Sequence, residues 1–133
     1  MKVTLFLLAM SGCVPPARPV VQPVPAPVRA LGGFYQPWTP LHETHWAEVL
    51  ACVGVSATGP RPSIWIVSGA LTQDGRELAA LYEPETHAIV VVLDALPYYW
   101  LLFRHEAIHA SVRDADHAQH FAKAAECHFW PAR

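Results

Sequence analysis

With 133 residues the chain has room for one domain and little more. Its 53% hydrophobic content excludes a disordered polypeptide, and only 15% of its residues are charged. A net charge of −2 gives no electrostatic case for nucleic acid, which would call for a clustered basic face, so no nucleic-acid partner is expected.

Residues 1–12, with one lysine, a short apolar run and small residues before a cysteine, read as a signal peptide. Ser11-Gly12-Cys13 resembles the end of a bacterial lipobox, which implies cleavage before Cys13 and lipid attached there; plain secretion and an unprocessed N-terminus are the alternatives. Eight of the thirteen prolines fall in residues 14–40. Proline fixes φ and removes donors, so 13–39 is expected to be a lipidated, semi-rigid tether and 40–133 the folded domain.

Thr39-Pro40 reads as an N-cap followed by proline in the first helical turn. Trp46, Val49, Leu50 and Val53 share one face up to Gly54, which predicts a helix over 40–53. His42 and His45 on it are expected to serve at the surface or in local hydrogen bonds rather than at a metal. After a loop at 55–62, strands are predicted at 64–67, 78–82 and 88–93, with turns at 72–76 and 83–86. The three strands are expected to form an antiparallel meander, with Tyr82 and His87 flanking any site nearby.

The central helix, predicted over 97–112, carries His105-Glu106-Ala107-Ile108-His109. Residues four apart lie on one face of a helix, so both imidazoles can reach one metal ion while Glu106 stands beside it as a base. Because the helix is apolar on nearly every side, two histidines and a glutamate are costly there unless metal or hydrogen bonds satisfy them. A zinc site needs a third protein ligand, and His117 and His120 follow closely. Asp114-Ala115-Asp116 ends the helix, and Asp116 with Gln119 caps a last one, on which His117, His120, Phe121, Ala124 and His128 share a side before Pro131.

The segment from Arg104 to Ala110, followed by His117-Ala118-Gln119-His120-Phe121, resembles small bacterial zincin-type metallopeptidase domains, including the SprT-like group. That resemblance implies a minimal zincin-like α+β fold with an N-terminal helix, a small antiparallel sheet, the H-E-x-x-H helix and a C-terminal helix. It implies zinc held by His105, His109 and His117 (His120 as the alternative), with Glu106 as base and Phe121 in packing. The export signal and the lack of a basic segment depart from the SprT-like group, and the chain is more similar to small exported bacterial lipoproteins with a cysteine in each outer helix. With Cys13 given to lipid, Cys52 and Cys127 are expected to form a disulfide in an oxidising compartment.

The function expected is therefore a zinc metallopeptidase of the bacterial cell envelope, lipid-anchored to the membrane on its periplasmic or extracellular face. It would act on a peptide or protein substrate through a zinc-bound water activated by Glu106. Strand 88–93, as a cleft-facing edge, would pair with the substrate. Tyr98, Tyr99, Arg104 and His120 are candidate oxyanion stabilisers, and Asp114 or Asp116 would orient a ligand imidazole. A non-catalytic zinc-binding envelope lipoprotein and a protein-interaction module are the competing readings.

Overall fold

The computed structural model describes residues 22–56, 59–115 and 127. Within them the chain runs through α1 (Ala26–Leu31), β1 (Gly33–Gln36), α2 (Pro40–Val53), β2 (Ser63–Val67), β3 (Leu71–Gln73) and β4 (Arg76–Leu78). It continues through β5 (Ala80–Glu83), β6 (Ala88–Val92), a 3-10 turn (Leu93–Tyr98) and α3 (Tyr99–Val112). The fold is α+β, with a four-stranded sheet in the order β1-β2-β6-β5 and a separate β3-β4 hairpin.

The period-two alternation of the two inner strands separates the core into two layers. Ile64, Ile66, Ile89 and Val91 face one way and pack with Trp46 and Val49 of α2 and Phe103, Ala107 and Ile108 of α3. Trp65, Val67, Ala88 and Val90 face the other way, where Val28 of α1 and Leu71 of β3 cover them. Helix α2 begins as its sequence predicts: the Thr39 side chain accepts from the His42 N–H, and the His42 ring accepts from the Thr39 N–H. It ends at Gly54, whose φ of 76° suits a residue without Cβ. No described helix is long and apolar enough to cross a membrane.

Three expectations need correction. The segment expected to be only tether contributes α1 and β1, with Val28 buried and β1 paired antiparallel to β2. Pro27 sits in the first turn of α1, where its missing N–H costs nothing. The sheet is not an antiparallel meander, because β2 and β6 run parallel and only β5 returns antiparallel to β6. The β3-β4 hairpin and β5 supply the long excursion that a parallel pair requires. Strand β6 is consequently interior rather than an edge; β5 is the edge beside α3.

Two smaller differences have local causes. The stretch 72–76 is mostly strand, turning only at Asp74-Gly75, whose φ values of 52° and 74° are those of a two-residue hairpin turn. Residues 78–82, expected to be one strand, divide between β4 and β5 at Ala79. The central helix begins at Tyr99 after the 3-10 turn that holds Pro97.

Candidate functional site

Helix α3 is fixed on both sides before it presents anything to the cleft. Phe103, Ala107, Ile108 and Ala110 are buried in the core. Arg104 reaches the other way, to α2, where its Nε donates to His45 Nδ1 at 2.8 Å and a terminal nitrogen pairs with the Glu48 carboxylate. With those faces occupied, His105, Glu106 and His109 point toward β5. One donor atom from each of the three lies within 4.8 Å of the others, and they form the candidate metal-holding group among the described residues. The two imidazole rings have centroids 5.2 Å apart, as four-residue helical spacing requires.

Main-chain groups set the orientation of two of these side chains. His109 Nδ1 lies 2.8 Å from the Asp114 carbonyl oxygen. A carbonyl only accepts, so Nδ1 carries the proton and Nε2 is the ring nitrogen with the chemistry to ligate a cation. Asp114 thus orients the His109 imidazole through its backbone carbonyl. The Glu106 carboxyl accepts from the Tyr82 backbone N–H on β5. Burial pushes the Glu106 pKa up to about 8, and that hydrogen bond opposes the rise without cancelling it. Left without a cation, the carboxyl is mostly protonated at neutral pH.

The register of β5 explains how its main chain reaches Glu106. Val92 N–H donates to the Ala79 carbonyl, so hydrogen-bonded pairs fall at 79/92, 81/90 and 83/88. Ala80 and Tyr82 therefore turn their N–H and C=O groups outward, toward α3. A cleft of about 120 Å³ lies between the two elements, lined by Gln73, Leu78, Ala80, Leu81, Tyr82, the three site residues and Ala115.

Tyr82 flanks the site as its position suggested, while His87 supports it from behind. Tyr82 OH lies 2.8 Å from His87 Nδ1, and His87 Nε2 donates to the Pro60 carbonyl at 3.0 Å. Since Pro60 can only accept, His87 Nδ1 is the acceptor for the tyrosine hydroxyl. The other proposed contributors do not meet here. Arg104 faces α2, Tyr99 pairs with His42, and Tyr98 is exposed, so none of these three lines the cleft. His42 is buried and serves in local hydrogen bonds with Thr39, as one of its two expected roles had it, and neither it nor His45 joins the metal-holding group.

Cys52 and Cys127 form a disulfide with a sequence separation of 75, which the chain-entropy model values at about 4–5 kcal/mol. Cys13, Asp116, His117, His120, Phe121 and His128 lie outside the described residues. Sequence reasoning missed the Tyr82 N–H and Gln73. The first is a main-chain donor with no residue signature, and the second is a polar residue in a stretch read as a turn. No protein-family model, curated protein or solved structure matches this chain.

Proposed function

We propose that this chain is a zinc-dependent metallopeptidase of the zincin type, exported and lipid-anchored at Cys13 to the bacterial cell envelope, hydrolysing a peptide or protein. The observation that carries the reading is the convergence of His105, Glu106 and His109 within 4.8 Å, with the carboxyl tied to the outward edge of β5. Two neutral imidazoles suit zinc, and a protein that only stored metal would need no base beside them. His117 completes the ligand set, with His120 as the alternative. Ala115 lines the cleft, and His117 follows it by two residues in the sequence.

When bound, the ion supplies Lewis acidity, polarising a substrate carbonyl and lowering the pKa of a water toward about 7, and its charge favours ionised Glu106. Glu106, held by the Tyr82 N–H, takes the proton from the attacking water and delivers it to the departing amine nitrogen. His109, held by the Asp114 carbonyl, keeps its Nδ1 proton throughout. An extended substrate pairs with the outward Ala80 N–H and C=O and the Tyr82 C=O of β5, which replaces strand 88–93 in that role. The Cys52–Cys127 bond suits the oxidising side of a membrane.

Metal content and digestion of casein or a peptide library, measured on wild type and Glu106→Gln, test the reading. Metal retained with hydrolysis lost supports it. Equal hydrolysis by the two proteins, or wild type that stays metal-free in ample zinc, refutes it.

A further inference from the structure

The opposite edge of the sheet also turns main-chain groups outward, with no strand beside them among the described residues. Ser68 N–H donates to the Gly32 carbonyl, so the bonded pairs of β1 and β2 fall at 32/68, 34/66 and 36/64. Gly33 and Tyr35 therefore direct their N–H and C=O groups away from the sheet, and β1 has no strand on that side among the described residues. Phe34 is 53% exposed and Tyr35 39%. Natural edges are ordinarily blunted by charge, proline within the strand or a bulge. Here no charged residue occurs from Ala30 to Leu41, and the strand runs Gly33-Phe34-Tyr35-Gln36 without interruption until Pro37.

We propose that β1 pairs antiparallel with β1 of a second copy of this chain, joining two four-stranded sheets across a two-fold axis. The register follows from which groups point outward. Only residues 33 and 35 can exchange hydrogen bonds, so Gly33 pairs with Tyr35 of the partner subunit and Tyr35 with Gly33 of the partner subunit. Four hydrogen bonds result, and Phe34 lies opposite Phe34 of the partner subunit. Centring the axis on Tyr35 instead would set Gly33 against Pro37, which has no N–H to give.

The side chains fit this register. Opposite each Tyr35 ring stands a glycine, and that position excludes a side chain because a Cβ on Gly33 would lie 2.3 Å from the Ile66 carbonyl oxygen. On the helix face, the two Phe34 rings meet at the mouth of an apolar cavity of about 280 Å³, lined by Phe34, Ile66, Leu96, Tyr99 and Trp100. An uncharged surface also meets its own copy without repulsion, whereas a charged one does not. An isologous pair of this kind closes on itself and leaves no free β1 edge.

The experiment is sedimentation velocity on the full chain at concentrations up to about 100 μM, a range that detects weak dimers. Wild type is expected to dimerise. Tyr35→Pro removes an outward N–H that no intramolecular ladder uses, so it is expected to keep its circular dichroism spectrum while its dissociation constant rises about tenfold or more. Phe34→Cys is expected to cross-link to itself on oxidation, and Glu77→Cys, exposed on β4, is not. A wild-type chain that remains monomeric overturns the proposal, as it would if an unrelated extended peptide or residues 14–21 of the same chain occupied this edge. A dimer that persists in Tyr35→Pro without self-cross-linking of Phe34→Cys overturns it equally.

Discussion

Two neighbouring helices each carry a histidine pair with a glutamate beside the first histidine: His42-Glu43-Thr44-His45 on α2 and His105-Glu106-Ala107-Ile108-His109 on α3. Their fates differ because of what surrounds them. His42 accepts from the Thr39 N–H through Nδ1 and lies 2.7 Å from Tyr99 OH through Nε2, so both ring nitrogens are occupied. His45 accepts from Arg104 and stacks on Trp100 with ring centroids 4.3 Å apart. Glu43 turns outward to Arg61. On α3 the glutamate turns inward instead, His109 has its Nδ1 anchored on the Asp114 carbonyl, and one donor atom each of His105, Glu106 and His109 lies within 4.8 Å of the others. One pair is absorbed into packing, and the other is aimed at a common point. The difference lies in what each helix packs against and in the direction of each carboxylate.

The sharpest way to break this comparison is to remove one ring from each pair. His105→Ala or His109→Ala is expected to lower bound zinc from about one per chain to background, while His42→Gln and His45→Gln leave it unchanged. Elemental analysis after dialysis decides. Glu106→Gln, against Glu43→Gln as its counterpart, is expected to cut peptide hydrolysis by about 10² to 10⁴-fold with zinc retained, and Glu43→Gln is expected to be silent. Initial rates on a fluorogenic peptide read the contrast.

Smaller effects concern stability. Cys52→Ser is expected to cost up to about 4–5 kcal/mol, read from urea midpoints with and without reductant. His42→Ala removes a capping partner and orphans Tyr99 OH, for a loss of about 1–3 kcal/mol, whereas His45→Ala costs less because its ring is partly exposed. Burial lowers the pKa of His42, with the nearby His45 adding to it, and burial likewise lowers His45 and His87. At these three histidines the unfolded chain therefore binds more protons than the native one below the ordinary histidine value of 6.5. The histidine contribution is complete above that pH and declines as pH falls through it toward the lowered native values. Glu106, its pKa raised to about 8, contributes the opposite slope in wild type and variant alike, so the difference between His42→Gln and wild type isolates the His42 part of the decline. Denaturation midpoints between pH 7 and pH 5 measure it.

What could be read from the residues divides along physical lines. Both long helices were legible because their ends carry chemical marks, Thr39-Pro40 and Gly54 for α2, and because their apolar spacing is local. The three site residues on α3 were legible for the same reason, since one helical turn fixes their relation. Strand direction was not, because nothing inside Ile64–Val67 records whether its neighbour Ala88–Val92 runs with it or against it; that depends on the excursion between them. Strand β1 was hidden by the prolines of the segment around it and by having four residues that stay half or fully exposed, so no buried periodicity marks it. The contacts holding Glu106 and His109 are main-chain contacts, which leave no trace in residue identity.

Main-chain contacts of this kind affect how the chain tolerates variation. The donor that fixes the Glu106 carboxyl belongs to the peptide unit at Tyr82, so most replacements there leave it in place, and only proline deletes it. The same holds for the Asp114 carbonyl, which every amino acid supplies. Relatives of this chain can therefore drift at both positions while keeping the base and the imidazole aimed as they are here.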